Sequence, residues 1–163
     1  MKVFSTLITL LFLFGCQQKH SFLITSDSIP ANEKHIILMQ PTVNNIKTFN
    51  YLVNNKIFPL PEGYKVIGVY HTLAEYNYQN TEEYLKQEGI TNVMLVKIDA
   101  QLSTDNIFKH NSCTDTFKKL FENSNGAIFF GGPDIPPSCY GEQTSLLTSI
   151  TDPYRHFMEL SFL

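Results

Sequence analysis

His35-Ile36-Ile37-Leu38-Met39 is a nearly continuous apolar run, stopped by Pro41. A strand covered on one face alternates apolar and polar residues; a run without alternation is the pattern of a strand buried on both faces of a parallel sheet. Working outward from it, Val43, Ile46, Phe49, Leu52 and Val53 approximate a 3.6-residue period, which predicts a helix that Pro59 and Pro61 end in a turn. The cycle then repeats. Val66-Ile67-Gly68-Val69-Tyr70 predicts a second strand, and Asn80 with Glu83 three residues later resembles a capping box that opens a second helix closed at Gly89. Val93-Met94-Leu95-Val96 predicts a third strand, Phe117, Leu120 and Phe121 a short helical face, and Ala127-Ile128-Phe129-Phe130 a fourth strand. Asp99 to Ser112 shows little pattern. Strand and helix alternating at these lengths predict an α/β fold, a parallel sheet with helices on both faces joined by right-handed crossovers.

Farther along, Asp152 is a candidate N-cap, Pro153 suits a first helical turn, and Tyr154, Phe157, Met158 and Leu160 follow. A helix ending in Phe162-Leu163 without Gly, Asn or a basic residue is expected to continue into further sequence. Upstream of His35 the chain from Gln17 to Lys34 is mostly polar and reads as a tether. Lys2, the largely apolar run Val3–Phe14 and Gly15-Cys16 read as a secretion signal, too short to span a membrane, which takes about 20 apolar residues. Leu13-Phe14-Gly15-Cys16 resembles the bacterial lipobox, which implies cleavage before Cys16 and acylation of its thiol. The expected organisation is a signal peptide over 1–15, a lipidated N-terminus and tether over 16–34, and one domain over 35–163. The expected location is the bacterial cell envelope, with the membrane as partner through the lipid anchor.

The 163 residues suit one domain that hides roughly 70% of the surface its unfolded chain exposes. Twelve Lys+Arg against 15 Asp+Glu, with no basic cluster, leave no electrostatic footprint for nucleic acid. Cys113 and Cys139 lack Cys-x-x-Cys spacing and nearby paired His, so neither a metal nor a cofactor is expected. Outside the cytosol these two thiols could pair, and sequence leaves that open.

Gly131-Gly132 at the end of the fourth strand, Asp134 shortly after, Tyr140-Gly141-Glu142, and Arg155 early in the following helix form one constellation. It resembles the γ-glutamyl-γ-aminobutyrate hydrolase branch of the class I glutamine amidotransferase-like family, closely over roughly the last forty residues. The resemblance implies a flavodoxin-like α/β sandwich and hydrolysis of a γ-glutamyl amide. A glycine at the carboxyl end of a parallel strand lets the backbone turn and leaves amide N–H groups facing a ligand. The resemblance makes Gly132 the first and Gly131 the second candidate oxyanion-hole donor, with Asp134, Tyr140 and Glu142 as substrate-loop candidates. His156 stands where that family has Asp, and Arg155 has Glu159 four residues on as a pairing partner.

The family's Gly-x-Cys-x-Gly nucleophile turn and His-x-Glu are absent. Ser138-Cys139-Tyr140-Gly141 is a lookalike with Pro137 in place of the first Gly, and Cys113 has weaker context. His71, at the end of the second strand, is the one His in a natural ligand-facing position. Three readings follow: a γ-glutamyl hydrolase whose catalytic Cys and His lie elsewhere, inactive as this chain alone, a non-catalytic membrane-anchored lipoprotein that binds a small ligand or partner, or a degraded fragment without function.

Overall fold

A computed structural model describes residues 21–31 and 33–163. The expected signal peptide and Cys16 lie outside the described residues. The elements are β1 (Leu23–Ile24), β2 (His35–Met39), α1 (Val43–Asn54), β3 (Lys65–His71), α2 (Gln79–Gln87), β4 (Val93–Ile98), α3 (Thr114–Glu122), β5 (Ser124–Ile128) and α4 (Pro153–Phe162). Two short 3-10 turns occupy Ser26–Ser28 and Pro137–Tyr140. The sheet is all parallel, in the order β1-β4-β3-β2-β5.

Alternate residues of the central strands enter two separate cores. Ile36 and Leu38 of β2, Val66 and Tyr70 of β3 and Leu95 of β4 pack with Ile46 and Phe49 of α1 and Leu85 of α2. Ile37, Met39, Ile67, Val69 and Val96 point the other way, onto Phe117 and Leu120 of α3 and Met158 of α4. The sheet is therefore covered on both faces in the flavodoxin-like manner, which is why the strands read as unbroken apolar runs. Each fully buried Ile or Leu contributes about 1.5–3 kcal/mol relative to exposure.

Helix ends follow their local chemistry. Thr42 Oγ1 accepts the Asn45 N–H at 3.2 Å and so caps α1. Gly89, with φ +64°, closes α2 in a Schellman arrangement: its N–H donates to Lys86 O at 3.3 Å and the Ile90 N–H to Leu85 O at 2.9 Å. Asn80 does not cap α2. The helix starts at Gln79, and Tyr78 precedes it without a side-chain cap. Asp152 caps α4 by accepting the Arg155 N–H at 3.1 Å, with Pro153 in the first turn.

Two further expectations are corrected. The fold begins before His35, because Leu23–Ile24 pairs with Leu95 and Val96, Leu95 N–H donates to Phe22 O at 2.8 Å, and Phe22 and Ile29 are buried. A two-residue strand in a polar stretch carries no periodicity to detect. The fourth predicted strand lies earlier, at Ser124–Ile128, with the register shifting between His35 and Ile36. Phe129 and Phe130 lie past the paired residues; Phe129 instead faces Phe162 at 6.1 Å. The patternless loop is ordered by asparagines: Asn106 and Asn111 tie its turns, and Ala100, Leu102 and Ile107 sink into the core. Among the described residues, no helix is long and apolar enough to cross a membrane.

Candidate functional site

Strand order reverses beside β2, since β3 and β4 lie on one side of it and β5 on the other. Open parallel sheets bind ligands in the crevice outside their carboxyl ends at such a reversal. A cleft of about 440 Å³ occupies this place, bounded by Gln40 after β2, Glu75 and Tyr76 after β3, Gly131 after β5, Asp152 at the cap of α4 and Arg155 within it. A second hollow lies beside β1, the end of β4 and the start of α3. It has no comparable set of charged groups from several strands.

The floor is set by an unusual residue. Gln40 has φ +55°, a left-handed conformation that a residue with a side chain adopts at a cost on the order of 1–3 kcal/mol. This turn takes the chain directly from β2 into α1, and Gln40 O accepts both the Thr42 N–H and Asn45 Nδ2, each at 2.7 Å. The side chain is 3% exposed. Tyr78, whose phenol is pushed to higher pKa mainly by burial, stays protonated and donates its hydroxyl to Gln40 Oε1. Tyr78 is itself clamped by stacking on Tyr70 at 4.0 Å and by the edge of Tyr76 at 5.0 Å. Gln40 Nε2 is left buried without a partner.

The start of α4 also lines the cleft. Asp152 Oδ1 accepts the Arg155 N–H and Oδ2 accepts the Glu75 N–H, both at 3.1 Å, so one carboxylate joins α4 to the loop after β3. Arg155 Nε donates to Glu159 at 3.1 Å and Nη2 to Phe130 O at 2.6 Å, tying α4 to the end of β5. Both side chains of this pair are 15% exposed. Burial pushes the Glu159 carboxyl above its usual range, and Arg155 pulls it part of the way back.

The two glycines have different surroundings. Gly131 borders the cleft, and a Cβ there would meet nothing within 4 Å. Gly132 lies under the Arg155 guanidinium: a Cβ would fall 1.7 Å from Nη1. Gly132→Ala must therefore dislodge a guanidinium held by two hydrogen bonds, with an expected loss of about 2 kcal/mol in urea unfolding. Gly131→Ala is expected to change stability by less than about 0.5 kcal/mol. Equal losses in the two variants would refute this account of Gly132.

Asp134, Tyr140 and Glu142 are exposed and do not border the cleft. Asp134 Oδ2 accepts the Ser149 N–H at 3.1 Å, and the Glu142 N–H donates to Pro137 O at 3.0 Å, so these residues shape the loop. His71 is buried: its Nδ1 accepts the Leu73 N–H at 3.0 Å, so Nε2 carries the hydrogen given to Ala100 O at 2.8 Å. Its ring stacks on Tyr154 at 4.8 Å, so the residue expected to face a ligand instead braces α4 against β3.

Cys113 and Cys139 are buried free thiols, not a disulfide. Burial raises Cys113 to about 11 and also raises Cys139. Reactive cysteines have depressed values in electropositive, accessible settings, so neither fits a nucleophile. His156 is buried as well, and burial first, then Arg155, lowers its pKa and keeps the ring neutral. Among the described residues, no group of three His, Cys, Asp or Glu is placed to hold a metal ion.

No family model, curated protein or solved structure matches this chain. Gln40, Tyr76 and Tyr78 were not singled out in the sequence, because nothing local marks a Gln that turns left-handed or a Tyr that reaches it from another loop. Arg155 and Asp152 were, through the motif and the cap.

Proposed function

We propose that this chain binds a small zwitterionic amino-acid derivative in the cleft at the sheet's carboxyl edge. The observation that supports this most is the convergence of hydrogen-bonding capacity and both signs of charge on one cleft. Gln40 brings an unpartnered buried donor from the end of β2, and Glu75, Asp152 and Arg155 line the same cleft. A buried donor without a partner costs free energy that a ligand oxygen would recover. Titration of the full chain with L-glutamine, followed through backbone amide shifts, is expected to move Gly131 and residues around Gln40 and Asp152 saturably. Shifts scattered outside the cleft, or none up to millimolar concentration, would refute the reading.

A γ-glutamyl hydrolase is the second reading, supported by the motif and by the open position of Gly131 at the end of β5, where an amide oxygen would meet a backbone N–H. It requires a nucleophile from outside the described residues. On its own the chain is expected to release no p-nitroaniline from γ-glutamyl-p-nitroanilide, and turnover abolished by Cys139→Ala would overturn that expectation. The envelope location is likewise a proposal, resting on Lys2, Val3–Phe14 and the lipobox-like Leu13–Cys16. Cys16→Ser is expected to move the protein from the membrane to the soluble fraction; unchanged partitioning would refute acylation at that thiol.

A further inference from the structure

We propose that the N-terminus of α1 and the Gln40 side chain form a subsite for the carboxylate of that amino-acid-like ligand. The proposal rests on the cleft being the binding site and specifies which end of the ligand sits where. In the first turn of α1 the Val43 N–H donates to Tyr76 Oη at 3.2 Å and the Asn45 N–H to Thr42 Oγ1 at 3.2 Å. Among the described residues the Asn44 N–H donates to no protein atom, and Asn44 borders the same cleft. Tyr76 Oη accepts from Val43 and so keeps its own hydrogen for another acceptor.

Independent of the helix end, Gln40 Nε2 is a buried donor with no partner, while Oε1 of the same amide accepts from the Tyr78 hydroxyl. The residues that carry these three donors, Gln40, Asn44 and Tyr76, come from two segments and line the cleft together, where α1 adds the positive end of its dipole. Such a set satisfies an acceptor-only group, and the helix end favours an ionised one over a neutral amide. Glu75 and Asp152 line the same cleft, and their carboxylates suit the ligand's ammonium. Asp152 is held in place by the Glu75 and Arg155 backbone amides.

The test compares L-glutamine with L-glutamine α-amide, which differ only in replacing the carboxylate by a neutral carboxamide. Amide spectra of the full 15N-labelled chain report each group separately. The expected result is saturable movement of the Gln40 side-chain amide and the Asn44 backbone amide with L-glutamine, and affinity at least ten-fold lower for the α-amide. Gln40→Glu keeps the acceptor for Tyr78 but replaces the free donor by a carboxylate oxygen, and should weaken L-glutamine binding at least ten-fold. If Gly131 moves while Gln40 and Asn44 do not, the subsite is wrong and the cleft reading stands. Equal affinity for the two ligands overturns the carboxylate assignment, and no movement anywhere in the cleft overturns both. Should Gln40→Glu fail to fold, the comparison of the two ligands on the unaltered chain decides alone.

Discussion

Replacing Arg155 by methionine is expected to lower stability by about 3 kcal/mol at pH 7.5, because it leaves a mostly buried carboxylate without its cation. Glu159 shares the pair's 15% exposure, and the guanidinium also supplies the hydrogen bond to Phe130 O. Methionine keeps much of the side-chain volume, so the loss reports charge and hydrogen bonding more than a cavity. The pH dependence has a definite sign. Burial raises the Glu159 pKa, so the folded chain takes up a proton there more readily than the unfolded chain. The stability this confers is fully present below the ordinary glutamate value and is lost as pH rises through the raised one. Without Arg155 the value rises further, so the deficit of Arg155→Met should shrink markedly between pH 7.5 and pH 5. Adding Glu159→Gln should recover part of the loss at pH 7.5. Urea unfolding at the two pH values checks this, and a deficit independent of pH would show that the pair is not its source.

Gly68→Ala is expected to cost about 2–3 kcal/mol, and to weaken ligand binding as well. Gly68 lies in β3 between Leu38 of β2 and Leu95 of β4. A Cβ there would fall 2.6 Å from Pro41 Cβ, 2.8 Å from Pro41 Cγ and 2.9 Å from Leu95 Cδ2. Neither neighbour yields easily: Leu95 is fully buried, and Pro41 is a rigid ring whose carbonyl accepts the Thr81 hydroxyl at 2.8 Å. Alanine's better backbone entropy, worth roughly 0.5–1 kcal/mol, does not offset that overlap. Pro41 stands between Gln40 and the Thr42 cap, so its displacement shifts the cleft floor and the start of α1 together. The expected melting temperature falls by about 5–10 °C. Leu120→Ala, in the core on the other face of the sheet, serves as the control. It should destabilise comparably while leaving L-glutamine affinity unchanged; equal effects of the two on affinity would mean that Gly68 acts only through stability.

Periodicity carried the layers of this protein. Runs such as His35–Met39 and Val93–Val96 are buried on both faces, and the helical faces of α1 and α3 need only local spacing, so elements that bury apolar surface were visible without coordinates. Local hydrogen bonding likewise made Gly89 and Asp152 legible as helix ends, since a left-handed Gly and an Asp cap act within a few residues. Where apolar content and pairing part company, the reading slipped. Phe129 and Phe130 drew the fourth strand too far along, although the ladder with β2 runs through Ser124, Gly126 and Ala127, which bury little.

The strand order and the identity of the cleft depended on tertiary structure alone. Placing β5 beside β2, 89 residues away at His35↔Ser124, brings Gly131 to the same crevice as Gln40, and no local pattern encodes that pairing. Remote pairing, at Leu23↔Leu95, likewise hid β1, which is a strand only because β4 offers it an edge. It also separated two adjacent glycines: Gly131 borders open space, while Gly132 is required by an arginine that arrives from α4. By itself the sequence determined which segments bury apolar surface and how their ends are capped, because those are near-neighbour interactions. Only the tertiary structure decided which polar groups meet at the carboxyl edge, because a buried donor such as Gln40 Nε2 becomes unpartnered through contacts made by residues remote along the chain.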